Sequence, residues 1–407
     1  ATTGKSFLLN EIPENSIFAS YLIRLEASDI YVPEYLANFL QSPYYWKQIT
    51  TVSKGTAQPG ANASILSKLN VPLPPLNEQK RIVAKIEALQ ERSQRVKAEL
   101  VAIRPLLDKF RQSVLAAAFR GDLTKDWREK NPDIEPASVL LEESLSSQFE
   151  NLPATWYMTT VGSVVKTLKY GTSKKCDYDI DGIPVLRIPN IVDGFIDNSD
   201  LKYTELTDQE LEKISLIPGD ILMIRSNGSV SLVGRTALVT DAEKNFAYAG
   251  YLIRIRPDHK RVFSPYLNLW FSSYEIRCQI EIPLRSTSGV NNINSNEVKQ
   301  LTIPIASLEE QKEIVNRIDK LFKIADNIEH LYQQTETDLE TLNQSILAQA
   351  FRGELVPQNP NDEPASVLLE RIRKERETHS KPAKQTRKKS PKTDNNNSTQ
   401  LTLEGIE

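Results

Sequence analysis

The sequence is short of almost everything that catalysis or membrane insertion needs. Its 407 residues hold two cysteines, Cys176 and Cys278, far apart in the chain. That excludes a disulfide framework and fits idle thiols in a reducing cytosol. Only three histidines occur, His259, His330 and His379, too scattered to form a set. No run of 18 apolar residues is present, so no membrane-spanning helix is expected, and no signal peptide opens the chain. A phosphate-binding GxxxxGK[ST] loop is missing, since Gly4-Lys5-Ser6 and Gly234-Arg235-Thr236 both lack the earlier glycine. No Asn/Asp-Pro-Pro-Tyr/Phe stretch of an amino-methyltransferase occurs, and Pro257-Asp258 lacks the acidic-x-Lys partner of a metal nuclease. A formal net charge of −3 argues mildly against a stand-alone nucleic-acid binder, although local charge matters more than the sum. Several independent chemistries thus lack their motifs together, while the apolar residues, 40%, are enough to bury a core.

One phrase is written twice. SVLAAAFRGDL at 113–123 returns as SILAQAFRGEL at 345–355. Other pairs keep nearly the same offset. Tyr21-Leu22-Ile23-Arg24-Leu25 matches Tyr251-Leu252-Ile253-Arg254-Ile255, LNEQK at 76–80 matches LEEQK at 308–312, and EPASVLLEE at 135–143 matches EPASVLLER at 363–371. A period of about 230 residues is too long for a solenoid and describes a duplicated domain with its connector. Ala1 aligns near Ser231, so the first copy holds no counterpart of roughly residues 152–230.

Two textures alternate. Residues 152–308 carry short β-type runs, 184–188, 220–224 and 251–255, punctuated by Gly and Pro. Ile217-Pro218-Gly219-Asp220 has the residues of a type II turn. The other texture is helical. Ile82, Ile86, Leu89, Ser93, Val96, Leu100, Ile103, Leu107, Phe110 and Val114 alternate steps of four and three. Ile314, Ile318, Leu321, Ala325, Ile328, Tyr332, Thr335, Leu339, Leu342 and Ile346 repeat that heptad seam. A helix over 78–119 would be roughly 60 Å long. Pro105 should kink or split it, whereas Thr337 stands at the matching place in the second helix. The connectivity places the start of the second helix near the end of the first, so the pair should run antiparallel.

The expected fold is therefore α+β: two strand-rich domains separated by two long antiparallel coiled-coil helices, related by a pseudo-twofold repeat and set at opposite ends of a rod. The segments are 1–76, the C-terminal part of the first strand-rich domain; 77–151, the first helical spacer and connector; 152–308, the second strand-rich domain; 309–373, the second helical spacer; and 374–407, a disordered basic tail. That tail suits loose contact with nucleic acid or simple solubilisation.

A duplicated domain on a spacer suits a target with two matching sites, and double-stranded DNA is the obvious one. Polar loops supply candidate readers. The second domain offers Lys174 and Lys175 in the Tyr170–Lys175 loop, Arg187 with Asn190, Arg225 with Asn227, and Arg285, Thr287, Ser288, Asn291 and Asn292 in a third loop. Lys54, Thr56, Gln58 and Asn62 form the counterpart of that third loop in the first domain. Arg and Lys pair with guanine edges, Asn and Gln with adenine edges, while hydroxyls and lysines settle on phosphates.

The doubled LNEQKRIV/LEEQKEIV at helix starts, the doubled FRGDL/FRGEL at helix ends and the PGDILMIRSNG stretch make the whole chain resemble a specificity subunit of a type I restriction–modification system. The resemblance implies two target-recognition domains, each reading half of a split DNA sequence, with the helices as a ruler and no catalysis in this chain. It implies two methyltransferase (modification) subunits that use S-adenosylmethionine, and motor-nuclease (restriction) subunits that use ATP and magnesium. It also assigns Phe119, Arg120, Phe351 and Arg352 to a docking surface for the modification subunits and places the protein in the cytoplasm. The competing reading is a non-catalytic coiled-coil protein–protein adaptor.

Overall fold

The structure, a computed structural model, describes residues 3–11, 14, 16–27, 30–53, 62–141, 152–284 and 291–379. The chain divides into two compact units, Ala1–Val96 with Thr337–Glu407, and Lys97–Glu336. Each unit therefore mixes one strand or helix domain with parts of both long helices.

The first long helix is split into Leu76–Val101 and Ile103–Phe119, while the second runs unbroken from Leu308 to Arg352. Pro105 explains the split. It has no N–H for the carbonyl of Val101 four residues earlier, and its ring crowds that carbonyl. Ala102 makes the tight turn instead, its N–H donating to Glu99 O at 3.2 Å.

Within the first unit, Ile82, Val83 and Ile86 share a core with Ile346, Leu347 and Ala350. Within the second, Val114, Leu115 and Ala118 share one with Ile314, Val315 and Ile318. In each unit the start of one helix lies beside the end of the other, which is antiparallel pairing. The seam is tight at these ends and looser between them, where Val96, Phe110, Ile328 and Leu342 are exposed. There, charge and stacking contribute instead: Arg111 reaches Asp326 and Glu329 at 2.9 Å each, and Arg104 lies over the Tyr332 ring.

Both helix ends stop on glycine. Gly121 and Gly353, in FRGDL and FRGEL, have φ of +84° and +75°, the left-handed conformation that terminates a helix without a Cβ clash. Both helix starts carry a buried glutamine. Gln311 Oε1 accepts from the Phe263 amide at 2.7 Å and its amide donates to Ala306 O at 2.9 Å. Gln79 does the same one repeat earlier, with the Val32 amide at 2.9 Å and Pro74 O at 3.0 Å. Beside Gln311, the buried Glu310 carboxylate accepts from Thr124, Arg128 and Trp156, tying the first FRGDL turn to the second helix.

The second domain is built on a four-stranded antiparallel sheet in the order Val165–Tyr170, Leu252–Pro257, Ile221–Ile224, Thr236–Leu238. The Ile221–Ile224 strand is buried on both faces, as its unbroken apolar run requires. The turn that feeds it is of type II, as expected. Gly219 has φ +91° and the Asp220 N–H donates to Ile217 O at 3.0 Å. Asp220 then closes on Arg256 at 2.7 Å. In the first unit, Tyr21–Leu25, the counterpart of Tyr251–Ile255, is exposed and forms no strand among the described residues, the Leu22 N–H donating instead to Ala19 O at 2.9 Å.

One repeated phrase folds two ways. EPASVLL is a single 3₁₀ turn, Ala137–Leu140, in the first copy, where the buried Ala137 donates to Thr155 O at 2.9 Å. In the second it opens the helix Ala365–His379. That helix runs past Lys374, so order extends several residues into the segment read from composition as a tail, and residues 380–407 lie outside those described.

Candidate nucleic-acid interface

The site grows from the end of the buried Ile221–Ile224 strand. Arg225 leaves the sheet with its backbone still tied on both sides: its N–H donates to Tyr251 O at 2.9 Å, and its carbonyl accepts from Ile293 N at 2.8 Å. The next two residues, Ser226-Asn227, pair antiparallel with Asn291-Asn292. This short ladder puts Arg225, Asn227, Asn291 and Asn292 side by side, although the sequence separates them by more than 60 positions.

Arg225 is held by stacking and by a hydrogen bond. Its guanidinium lies 4.5 Å from the Tyr170 ring centroid, and its Nε donates to Asn292 Oδ1 at 3.3 Å. A guanidinium fixed over a ring keeps its outer N–H groups in one plane, ready for two parallel bonds to a base edge or a phosphate. The Asn292 amide nitrogen has no partner among the described residues. Tyr170 is itself braced, since its hydroxyl accepts from the Ser295 amide at 2.9 Å and donates to Ser295 Oγ at 3.2 Å. Burial raises the phenol, but the Ser295 bonds and the Arg225 charge outweigh it and bring the hydroxyl below its ordinary pKa. Asn227 folds its own loop, Oδ1 accepting from Ser229 N at 2.9 Å, and Asn291 is buried with its amide on Gly228 O at 3.1 Å. Gly228 itself faces open space.

The basic loop after Tyr170 is separate. Lys174 is paired with Glu210 at 2.7 Å and donates to Glu205 O, while Lys175 is fully out in solvent, 3.9 Å from Asp177. The Lys174 hydrogen bond and the Thr207 amide hold the Glu210 carboxyl down at about 2. Gly171 fixes this loop against the domain, for a Cβ there would sit 2.1 Å from Tyr248 O.

Several expected readers serve the fold instead. Asn190 is buried, its Oδ1 accepting from Arg187 N and its amide donating to the carbonyls of Asp197 and Asp200. Arg187 is mostly covered and paired with Asp200 at 2.9 Å. Both knit the 188–200 loop, and the Asn190 carboxamide is engaged through its oxygen and its nitrogen. Asn62 caps the Ala63–Leu66 turn through the Ile65 amide. Phe119 and Phe351, assigned by resemblance to a docking surface, are 4% and 5% exposed and belong to the cores of their units. Apolar surface already buried within the chain is not available to another subunit. Arg120 and Arg352 are exposed and pair with Asp122 and Glu354. Lys54, Thr56, Gln58, Arg285, Thr287 and Ser288 lie outside the described residues. The residue that sequence reasoning missed is Tyr170. It entered only as the first member of a basic loop, and nothing in its spacing announces that Arg225 stacks on it.

Among the described residues no cluster of His, Cys, Asp and Glu is placed to hold a metal, and no helix is long and apolar enough to cross a membrane.

Comparison with known proteins gives a consistent answer. The family model described as "Type I restriction modification DNA specificity domain" matches residues 1–102 and 153–337. The "Type I restriction enzyme EcoKI specificity subunit" of Escherichia coli (strain K12) is 32% identical over 399 residues, 96% of this chain and 81% of that protein. The "StySPI specificity subunit" of Salmonella potsdam is 31% identical over 384 residues, 92% of this chain and 78% of that protein. Among solved structures, the HsdS subunit from Thermoanaerobacter tengcongensis superposes with TM-score 0.50 at 22% identity, covering 80% of this chain and 71% of that one. A chain from a study of complex assembly in the type I R-M system superposes with TM-score 0.54 at 24% identity, covering 79% and 71%. These two carry the likeness of fold, and the sequence matches carry the membership: the chain belongs to the family of type I restriction–modification DNA specificity subunits.

Proposed function

We propose that the chain reads a split DNA sequence for a type I restriction–modification complex and itself performs no chemistry. The observation that carries the reading is the Arg225–Tyr170–Asn292 cluster, a stacked guanidinium beside a carboxamide N–H₂ with no partner among the described residues, on a short ladder at the end of a buried strand. Rigid side chains of these types match the edges of guanine and adenine in the major groove. The long helices join this domain to its repeat and set the separation of the two half-sites. Two methyltransferase subunits, carrying S-adenosylmethionine, dock on the helical regions and modify adenine. Motor-nuclease subunits, with ATP and magnesium, join them in the cytoplasm.

The test is assembly followed by mapping. The chain is mixed with a type I methyltransferase subunit and S-adenosylmethionine, and the methylated adenines in genomic DNA are sequenced. A single bipartite motif that depends on this chain supports the reading. If the chain neither co-elutes with such a subunit nor binds duplex DNA with an affinity that falls as salt rises, the adaptor reading replaces it.

A further inference from the structure

Beside the Arg225 cluster runs a groove of about 590 Å³, walled by the strand Val165–Tyr170 on one side and the helix Ser295–Gln300 on the other. Lys166, Lys169 and Lys299 all line it. Lys166 has only a distant approach, 3.8 Å, to Asp258, and Lys169 and Lys299 make no ion pair among the described residues. The one acidic residue of the short helix, Glu297, is turned back to bond the Asn294 amide at 2.7 Å. Three lysines thus line one concavity with little neutralisation among the described residues, in a chain whose net charge is −3. Concave surfaces of one sign focus their field on a counter-charge.

The groove is constructed rather than incidental. Residues 166 and 169 are an odd number apart and would face opposite sides of a regular strand. The ladder to Leu252–Pro257 slips at this point: Thr167 pairs with Arg256 but Val165 with Pro257, leaving Lys166 as the extra residue of a bulge. A bulge breaks that alternation at Lys166, and both lysines line the groove. On the opposite wall, Gly162 allows the close approach that carries Lys299. A Cβ at 162 would press to 3.1 Å on both the Lys299 carbonyl and its Cβ. The Val161 N–H donates to Leu301 O at 2.7 Å and fixes that approach.

Both walls lead to the reading cluster. Tyr170, the platform under Arg225, ends the strand that carries Lys166 and Lys169. Ser295, which braces the Tyr170 hydroxyl, begins the helix that carries Lys299. We propose that the groove is a phosphate site that holds the DNA backbone next to the half-site read by Arg225. It rests on the reading of the chain as a DNA-specificity subunit. Its ligand is a row of backbone phosphates, and it adds affinity and register, not sequence preference.

The experiment uses the full chain assembled with its methyltransferase subunit. Duplex binding is measured over a range of salt for the parent, for K169Q/K299Q and for the charge-matched control K213Q/K244Q, whose lysines lie outside the groove. Each lost phosphate contact should reduce the slope of log K against log salt by about 0.9, so the groove variant should lose about 2. Its affinity should fall by the same factor for specific and unrelated duplexes, with the methylated motif unchanged. An unaltered slope overturns the proposal, and so does an equal loss in the control. Loss of the methyltransferase subunit on size exclusion would assign the groove to a protein surface and overturn it too. If the parent complex shows no salt-dependent duplex binding, the reading of function fails first, which separates the two failures.

Discussion

The Phe119 ring meets Trp270 edge-on, with centroids 4.8 Å apart, and Tyr266 closes on it at 5.2 Å. One repeat away, Phe351 meets Phe39 at 5.4 Å and Tyr35 at 5.1 Å. Tyr266 and Trp270 occupy the repeat positions of Tyr35 and Phe39. The phrase FRG[DE]L is therefore written twice because the same joint is made twice. The end of the first long helix is pinned by its phenylalanine in the second unit, and the end of the second helix by its phenylalanine in the first. The glycine that follows ends the helix at the joint.

Truncating either ring should be costly. Phe119→Ala and Phe351→Ala each remove an aromatic side chain from a closed core and should destabilise by about 3–5 kcal/mol. Arg120→Ala, whose side chain is exposed beside Asp122, should change stability by less than about 0.5 kcal/mol. Denaturant midpoints of the three variants decide the matter. Equal midpoints for F119A and R120A would mean that the ring is not an anchor.

The two glycines of the interface loops should behave oppositely. Gly171→Ala drives a methyl into the Tyr248 and Ala249 carbonyls, which should cost at least about 1–3 kcal/mol of overpacking. Gly228→Ala meets nothing within 4 Å and should fold as the parent does. A thermal melt of each is sufficient, and a larger loss for G228A would contradict the loop geometry.

What could be read from sequence were the features carried by local rules. The heptad steps, the break forced by Pro105 and the Ile217–Asp220 turn each depend on a few neighbouring residues, and each stands in the structure. What could not be read depends on distant chain. EPASVLL has no intrinsic preference strong enough to choose between a 3₁₀ turn against Thr155 and a free helix, so its surroundings choose. Tyr21–Leu25 differs from Tyr251–Ile255 only by Leu for Ile at its last residue, yet a strand needs ladder partners, and the described residues supply none. Asn190 and Arg225 look alike in a list of polar loop residues. Only the fold shows that one fills a loop interior and the other stacks on Tyr170.

Releasing Lys174 should strengthen DNA binding. Glu210 now neutralises it at 2.7 Å, and because the carboxyl sits down at about 2, the pair persists throughout the working pH range. The sign follows from that depression: the charged pair is fully formed above the ordinary carboxylate pKa and is lost only as pH falls toward about 2. Glu210→Gln keeps a side-chain oxygen for the Thr207 amide but frees the ammonium for a phosphate. Affinity for any duplex should rise, and the salt slope should steepen by about 0.9. If neither changes, Lys174 does not face DNA.

Arg225 is the residue whose loss should alter what is read rather than how tightly DNA is held. Its guanidinium is oriented by the Tyr170 ring and by Asn292 Oδ1, so its remaining N–H groups have one direction. A base-edge pair of that kind contributes about 1–3 kcal/mol of discrimination at a single position. In Arg225→Ala, the methylated motif mapped by sequencing should become degenerate at one base of one half-site, while the other half-site and the spacing stay fixed. Tyr170→Phe preserves the ring under Arg225 and removes only the bonds to Ser295, so it should relax the same position less. Tyr170→Ala removes the platform and should approach the arginine variant. If Arg225→Ala instead weakens all duplexes alike and leaves the motif intact, Arg225 is a phosphate contact, and the base-reading group of this domain lies elsewhere.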